Sequence, residues 1–330
     1  MQKRERLQLT LAGESADRVP VAAWRHWPGD DQLAASFAQA VLGFQAAYDW
    51  DFIKVEPFSA YMAADYGLLT TRAGHPSGDR AISKHPVTRS LHWTELRVQD
   101  PGRGELGKHL AALQLMRDGL PPDVPLVTTI YSPFTQARML AADNIALRNL
   151  RTHPRRLGTG LNIITETLLL FIEELRRIGV EGVFYVVDSA DFTLMATQEY
   201  AEFGLQHDRR ILDALPDSLW LNALEVRSPV PMFEFLGTYP LPVICWDAHT
   251  AQPEVEKVRG LVRGVLATGP AAQAQVGLDT PSMIRNVARE MVNQAGGRRF
   301  ILTAGAAVPV HTPLVNLRAL RNAVEISDVV

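Results

Sequence analysis

The most regular feature of the chain is a series of short apolar runs that are rich in β-branched and aromatic residues. Most of these runs do not alternate with polar residues, a pattern typical of strands that are buried on both faces of a parallel sheet. The sequence therefore predicts eight strands, at residues 19–24, 52–57, 124–131, 182–189, 219–226, 242–248, 273–279 and 300–305.

Amphipathic helical patterns lie between these runs. DQLAASFAQAVLGFQAAY follows the first predicted strand, and IITETLLLFIEELRRIG precedes the fourth. PEVEKVRGLVRGVLATG follows the sixth strand, and PSMIRNVAREMVNQAGG follows the seventh. Each has apolar residues at the spacing of one helix face, and the last two end at glycines, which commonly terminate helices.

This alternation of strands and helices predicts a single-domain (β/α)₈ TIM barrel over residues 1–330. An open doubly wound sheet is the alternative, but such a sheet carries a glycine-rich phosphate loop after its first strand, where this chain has AAWRHWPGDD. Residues 58–123 are polar and punctuated by glycine and proline. They predict a long excursion between the second and third strands, beside the mouth of the barrel.

Composition and charge narrow the class of protein. A hydrophobic content of 47% supports a large core, and a net charge of −3 gives no electrostatic reason to expect nucleic acid or an anionic membrane as partner. The amino-terminal stretch is charged, and no apolar run reaches the roughly 18 residues that span a bilayer. We therefore expect a cytoplasmic protein.

The single cysteine, Cys245, excludes an internal disulfide and any metal site built from several cysteines. It lies in the apolar run LPVICWDA. This position favours a buried core residue over a nucleophile.

Barrel enzymes hold their reactive groups at the carboxyl ends of the strands and in the loops that follow. An arginine there can bind a carboxylate through two hydrogen bonds, and carboxylates can accept N–H groups, hold a cation or transfer protons. This rule selects Arg25, His26, Trp27, Glu56, Tyr131, Asp188, Ser189, Asn222, Glu225, Asp247, His249 and His311.

Several of these candidates also have a structural explanation. Asp188 and Ser189 follow a strand, where such residues often cap a helix. Asp247 could pair with Arg25 instead of contacting a ligand, and Trp27 could be an ordinary core residue. The loop histidines could be surface residues.

Five stretches, in order along nearly the whole chain, resemble the uroporphyrinogen decarboxylase superfamily. They are ERLQLTLAGESADRVPVAAWRHW, DWDFIKVEP, YSPFTQA, the Asp-Ser pair after the fourth strand, and AGAAVPVHTPLVNLRALRNAV. The resemblance implies a barrel, commonly dimeric, with a deep cleft at the carboxyl ends of its strands. Two activities dominate that superfamily: cofactor-free removal of acetate carboxyls from a tetrapyrrole, and zinc-dependent methyl transfer between corrinoid proteins and thiols.

Part of the decarboxylase residue set is retained. Arg25 matches the first loop arginine, Glu56 falls on the decarboxylase aspartate, and Ser189 keeps the serine after the fourth strand. The second arginine falls on Gly29, the active-site tyrosine on Met139 and the histidine of the final loop on Gly305.

The zinc ligands of the methyltransferase branch are lost. The His-x-Cys pair corresponds to Asn222 and Leu224, and the final-loop cysteine falls on Ala306. We therefore expect no metal, although oxygen ligands from Glu56, Asn222, Glu225 and Asp247 are an alternative.

The resemblance favours a decarboxylase that acts without a cofactor on a small carboxylated, tetrapyrrole-like substrate, in a possible homodimer. Arg25 would anchor a substrate carboxylate, Glu56 would engage an N–H group or developing cation, and Asp188 or Ser189 would orient the substrate. The other selected residues would contribute to binding. The alternatives are a corrinoid-linked methyltransferase without the thiolate zinc site, and a barrel that binds a ligand without catalysis.

Overall fold

The framework of the protein is a curled parallel sheet of seven strands, seen in a computed structural model that describes residues 1–142, 144–247, 258, 260, 261 and 264–325. In hydrogen-bonded order the strands are β1 (Ile53–Val55), β4 (Leu126–Tyr131), β5 (Gly182–Val187), β6 (Ala223–Val226), β7 (Val243–Trp246), β8 (Val265–Thr268) and β9 (Phe300–Leu302). A separate antiparallel pair is formed by β2 (Leu69–Thr71) and β3 (Ala81–Lys84).

Helices cover the outside of the sheet. Their bounds are α1 (Lys3–Ala12), α2 (Ala34–Tyr48), α3 (Tyr61–Ala64), α4 (Gly104–Gly119), α5 (Pro133–Leu140), α6 (Ile145–Thr152), α7 (Pro154–Ile178), α8 (Thr197–Tyr200), α9 (Gln206–Leu212), α10 (Phe233–Leu236), α11 (Pro281–Gln294) and α12 (Leu314–Asn322). Local sequence sets their ends: the Ser132 side chain caps α5 ahead of Pro133, and Gly179 ends α7 in the left-handed conformation. Within the described residues, none of these helices is long and apolar enough to cross a membrane.

The curl of the sheet explains the continuous apolar runs. Every residue of the seven strands is buried, because helices cover one face and the interior of the curl covers the other. Trp24 and Phe52 contact Phe184 of β5, an interior strand of the sheet, with ring centroids 5.6 and 6.0 Å apart. Residues near the sheet edges reach its middle only if the sheet curves around them.

The first predicted strand is present as a single bridge between Val21 and Leu302. Ala22 N donates to Leu302 O at 3.0 Å, and Asp51 N donates to Val21 O at 3.0 Å. Residues 20–22 therefore lie between β9 and the residue that precedes β1, and they link the two edges of the seven-stranded sheet.

The predicted seventh strand, 273–279, is wrong. Ala272–Val276 forms one π-helical turn, in which the Gln275 side chain accepts a hydrogen bond from Ala271 N at 2.8 Å. The strand at this place in the sheet is β8, which the sequence pattern had assigned to the end of a helix. A four-residue strand is too short to show whether its apolar residues repeat with the period of a strand or of a helix. This run was therefore assigned to the amphipathic helix pattern that precedes it.

The predicted excursion between the second and third strands is shorter than 58–123. Its last part forms α4, which packs against α2 and α7 in the outer helical layer. Residues 72–80, here called the hairpin loop, join β2 to β3 and cross the carboxyl end of the sheet. Val310 N donates to Pro76 O at 3.0 Å. A Cβ on Gly78, which has a φ of +81°, would lie 2.4 Å from Val310 Cγ1.

A buried carboxylate ties the amino-terminal segment to the sheet. Asp51 is completely buried and accepts hydrogen bonds from Arg6 Nη1 at 2.6 Å, Arg18 Nη1 at 2.7 Å and Val21 N at 2.7 Å. Arg6 also donates twice to Asp17, at 2.7 Å each. The charged residues of the ESADRVP stretch thus hold residues 20–22 in place.

We expect Asp51→Asn to lower the free energy of unfolding by about 3 kcal/mol or more, because it removes the charge that two buried guanidiniums share. Asp49→Asn is the matched control, since the Asp49 side chain is 66% exposed and its ion pair with Lys3 should contribute less than about 1 kcal/mol. Urea denaturation of both variants measures the difference. Equal losses would contradict the role assigned to Asp51.

Candidate active site

Four charged side chains meet inside the curl. Residues two apart on a strand share a face, so Lys54 and Glu56 point inward from β1 and its end, as do Glu225 and Arg227 from β6 and its end. Lys54 Nζ contacts the Glu56 carboxylate and lies 2.7 Å from Glu225 Oε2. Arg227 Nη2 donates to Glu56 Oε1 at 2.9 Å, and its Nε donates to Glu225 Oε1 at 2.8 Å. We call these four residues the central charge cluster.

Neighbouring side chains further stabilise the buried charges of the central charge cluster. Thr129 Oγ1 donates to Glu56 Oε2 at 2.9 Å. The Lys54 ammonium lies 4.4 Å from the ring centroid of Trp24 and 5.0 Å from that of Phe184, within the range of cation–π attraction. The cluster has no formal net charge, and every charge in it has an opposite neighbour, as burial of ions requires.

Burial by itself would raise the pKa of Glu56, but Lys54 and then Arg227 outweigh burial and hold the pKa of this carboxyl well below its usual range. Glu56 is therefore ionised, with both oxygens occupied. Burial also raises the pKa of Tyr131, although Arg227 opposes the shift. The protonated Tyr131 hydroxyl lies 3.4 Å from Arg227 Nη1.

A cleft of about 380 Å³ opens above the cluster, at the carboxyl ends of the strands. This volume is at the low end of the range of about 300–1,000 Å³ that is usual for small-molecule sites. Arg227, Ser228 and Asp247 line one side, and His26 and the hairpin loop line the other.

The hairpin loop places a carboxylate in the cleft. Asp79 accepts hydrogen bonds from Ser59 N at 2.9 Å, Ser59 Oγ at 2.5 Å and Arg80 N at 2.8 Å, which fix it against the segment after β1. His26 Nε2 lies 4.0 Å from Asp79 Oδ2. That separation is too long for a direct hydrogen bond.

The structure brings five of the predicted site residues to this region. His26, Glu225 and Asp247 line the cleft. Glu56 and Tyr131 contact Arg227 at its base. Their catalytic or binding roles stay predictions.

Arg25 and Trp27 face away from the cleft. The Arg25 guanidinium lies 5.0 Å from the ring centroid of Trp27, and Trp27 packs edge-on against Phe44 of α2. Both side chains therefore fill the space between residues 23–27 and the outer helical layer.

Asp188 and Ser189 belong to a separate group after β5. Asp188 Oδ1 accepts hydrogen bonds from Thr135 Oγ1 at 2.8 Å and from Arg138 Nη1 at 3.1 Å. Arg138 Nη1 also donates to Ser189 Oγ at 3.2 Å. This group joins the end of β5 to α5, and none of its members lines the cleft.

The remaining candidates are apart from the cleft as well. Asn222 precedes β6, at the opposite end of the strand, and its Oδ1 accepts from Val183 N at 2.9 Å. Its contacts are those of a residue that organises the start of a strand. His311 is exposed and does not line the cleft, and His249 lies outside the described residues.

Lys54 and Arg227 are site residues that sequence reasoning missed. The available signal was two charges of opposite sign at two-residue spacing in an apolar strand, Lys54 with Glu56 and Glu225 with Arg227. Such a pair shares one face of a buried strand and so implies a partner of opposite charge there.

The loop after β9 has no space for the family histidine. Gly305 has a φ of +71°, and a Cβ built on it would lie 3.0 Å from Trp246 O and from Asp247 Cα. A side chain at this position would be strained in its backbone and crowded by the end of β7.

The described residues do not fit a thiolate zinc site. Among them, no group of three or more histidine, cysteine, aspartate and glutamate side chains is arranged to hold a metal ion. Cys245 is buried, burial raises the pKa of its thiol, and the thiol donates to Gly305 O at 3.7 Å. A neutral thiol of this kind is a poor zinc ligand.

Together these features define a parallel α/β protein with a cleft of small-molecule size at the carboxyl ends of its strands. The family model for uroporphyrinogen decarboxylase (URO-D) matches residues 72–326. The chain belongs to the uroporphyrinogen decarboxylase family.

Two curated relatives are similar to part of the chain. Uroporphyrinogen decarboxylases from Pectobacterium atrosepticum and Pectobacterium carotovorum are 27% and 26% identical to it over 136 residues. Each match covers 39% of this chain and 38% of the relative. The chain therefore spans well under half the length of these relatives.

Solved structures are similar over nearly the whole chain. A methyltransferase from Methanosarcina mazei has a TM-score of 0.85 at 18% identity, over 98% of each chain. A B12-independent methionine synthase from Shewanella sp. W3-18-1 has a TM-score of 0.60 at 11% identity, over 92% of this chain and 97% of its own. At these identities the likeness shows a shared fold.

We expect Lys54→Met to lower the free energy of unfolding by about 3–5 kcal/mol near neutral pH, because two buried carboxylates then share one guanidinium. In the wild type, the depressed pKa of Glu56 stabilises the fold above the pKa of the unfolded chain, about 4.3, and this contribution is lost as the pH falls. In the variant, burial raises the pKa of Glu56, so protonation relieves the penalty.

The loss should therefore be smaller near pH 5 than near pH 7.5, as measured by urea denaturation at both values. Lys84→Met, at an exposed position on β3, is the control. A loss independent of pH would argue against a carboxylate that Lys54 compensates.

Proposed function

We propose that the protein is a decarboxylase-like enzyme that binds a small carboxylated substrate in the cleft, within a sheet that residues 20–22 complete as a (β/α)₈ barrel. One observation carries this proposal. Arg227 lies at the base of the cleft, is fixed by two buried carboxylates, and has 31% of its side chain exposed.

Arg227 is better placed to bind a substrate carboxylate than the predicted Arg25. Its Nε and Nη2 groups are held by Glu225 and Glu56, whereas Nη1 makes only the 3.4 Å contact with the Tyr131 hydroxyl among the described residues. A guanidinium that is already oriented loses little conformational freedom on binding. Arg25 instead contacts Trp27, away from the cleft.

This arrangement changes the role proposed for Glu56. Both of its oxygens accept from protein groups, so it positions Arg227 and Lys54 instead of contacting an N–H group of the substrate. Glu225 does the same from β6.

The reaction needs no cofactor if the substrate itself accepts electrons. The bond between carbon and the departing carboxylate breaks, and its electron pair moves into an acceptor such as a protonated ring. Carbon dioxide leaves, the carbon takes up a proton from water, and the ring releases the proton that had charged it, so one proton is consumed for each carboxylate lost. Arg227 would hold a second carboxylate that is retained, since fixed charge can orient the substrate without reorganising during the reaction.

Methyl transfer is the second candidate, supported by the likeness in fold to the Methanosarcina mazei methyltransferase. The described residues supply no thiolate for a zinc-activated thiol. Metal analysis of the purified protein tests this candidate: stoichiometric zinc would favour it, and turnover by metal-free protein would exclude a zinc-dependent reaction.

We expect Arg227→Lys to lower kcat/KM for decarboxylation by about 10- to 100-fold, since lysine keeps the charge but loses the oriented hydrogen bonds, worth about 1.5–3 kcal/mol each. The assay measures carbon dioxide release from uroporphyrinogen and from smaller carboxylated nitrogen heterocycles. Arg25→Lys is the matched control and should change the rate less than about 3-fold. Loss of activity in Arg25→Lys with an unaffected Arg227→Lys would reverse the assignment, and no release from any compound would contradict the proposed reaction.

A further inference from the structure

The cleft has two opposing walls: one carries Arg227 together with Asp247, and the other carries Asp79. β6 is the middle strand of the seven, whereas residues 20–22 lie between the two edges of the sheet. The segments that follow them therefore face each other across the mouth. Arg227 and Ser228 follow β6 on one wall, and His26 lies on the other beside Asp79 of the hairpin loop.

The β6 wall offers hydrogen-bond donors. Ser228 is fully buried, lines the cleft, and its hydroxyl has no hydrogen-bond partner among the described residues. It directly follows Arg227, whose charge is oriented by Glu56 and Glu225. A buried hydroxyl without a partner costs free energy unless a ligand or water satisfies it, and a carboxylate would satisfy the hydroxyl and the guanidinium together.

The opposite wall offers an anion. In the described part of the chain, no lysine or arginine side chain lies within ion-pairing distance of Asp79, and His26 Nε2 lies 4.0 Å from its Oδ2. Three donors already orient the Asp79 carboxylate, which leaves capacity for one more. His26 is 5% exposed, and its Nδ1 has no hydrogen-bond partner among the described residues.

The two walls are close enough for one small ligand. Arg227 donates to Glu56, and Asp79 accepts from Ser59, three residues further along the chain, so one short segment after β1 holds both charges. They are nevertheless not within ion-pairing distance of each other. The cleft therefore separates the Arg227 cation from the Asp79 anion. A ligand with an anionic group at one end and a cationic group at the other would fit between them.

We propose that the cleft selects a small zwitterion, whose carboxylate binds Arg227 and Ser228 and whose protonated nitrogen binds Asp79 beside His26. This inference rests on the proposed function for the use of the cleft as the substrate site, and it adds that the substrate carries a protonated nitrogen opposite the carboxylate that it retains. The carboxylate that leaves in the proposed reaction is a further group, bound to neither Arg227 nor Asp79. A dicarboxylate of the same length would place its second charge against Asp79, so the same wall rejects it.

Isothermal titration calorimetry of the full chain tests the proposal with three matched series. The probes are 3-aminopropanoate, 4-aminobutanoate and 5-aminopentanoate, the corresponding alkanoates without the amine, and the dicarboxylates with the same spacers, succinate, glutarate and adipate. For the chain length that binds most tightly, the amino carboxylate should bind at least 10-fold more tightly than the alkanoate or the dicarboxylate with which it is matched. Asp79→Asn should abolish this preference and leave alkanoate binding unchanged, whereas Ser228→Ala should weaken the amino carboxylate and the alkanoate alike.

Asp118→Asn, at an exposed position on α4, is the control and should keep the preference. Equal or tighter binding of the dicarboxylates, a preference that survives Asp79→Asn, or no binding by any amino carboxylate would each overturn the proposal. The wild-type comparison does not depend on the stability of a variant.

Failure here is distinguishable from failure of the proposed reaction. Carbon dioxide release that depends on Arg227, without a zwitterion preference, would leave the decarboxylase standing and overturn the inference. Zwitterion binding that depends on Asp79, without carbon dioxide release, would do the reverse.

Discussion

The attraction among Lys54, Glu56, Glu225 and Arg227 connects the interior of the sheet to the cleft above it. Two strands from distant parts of the chain each contribute one cation and one anion, so neither strand can keep its charges buried without the other. The same contacts that compensate the buried charges also fix the guanidinium at the base of the cleft. The stability of the fold and the orientation of this guanidinium therefore depend on one set of ion pairs.

Most of the framework could be predicted because its physical cause is local. Strands buried on both faces show near-continuous apolar runs, and helix ends carry residues such as Ser132 with Pro133 or Gly179. One exception was β8, whose residues Val265–Thr268 continue an amphipathic pattern. Such a short segment becomes a strand because it pairs with neighbouring strands, at Ile244 of β7 and Ile301 of β9 among other residues. The sequence does not show these long-range contacts.

The site was less predictable, because position at a strand end does not decide which way a side chain turns. Arg25 and Asp188 both follow strands of the expected barrel, yet one packs toward α2 and the other bonds to Arg138. Lys54 lies below the strand end and escaped a rule that considers only the mouth. Opposite charges two residues apart in an apolar strand were the better indication of the site. They lie on the same face of the strand, and buried charges there require neighbours of opposite charge.

The hairpin loop is less integral to the fold than the β6 wall, formed by Arg227 and Ser228, that faces it across the cleft. The guanidinium wall is built into the sheet and cannot change without disturbing the core, whereas Asp79 is carried by a segment inserted between β1 and β4 and seated by the contact of Gly78 with Val310. Insertions of this kind can vary in length and sequence at small cost to the framework. In the proposed site, the residue that binds the nitrogen of the ligand therefore lies on an insertion, whereas the residue that binds its carboxylate belongs to the sheet, so the first can be exchanged without altering the second.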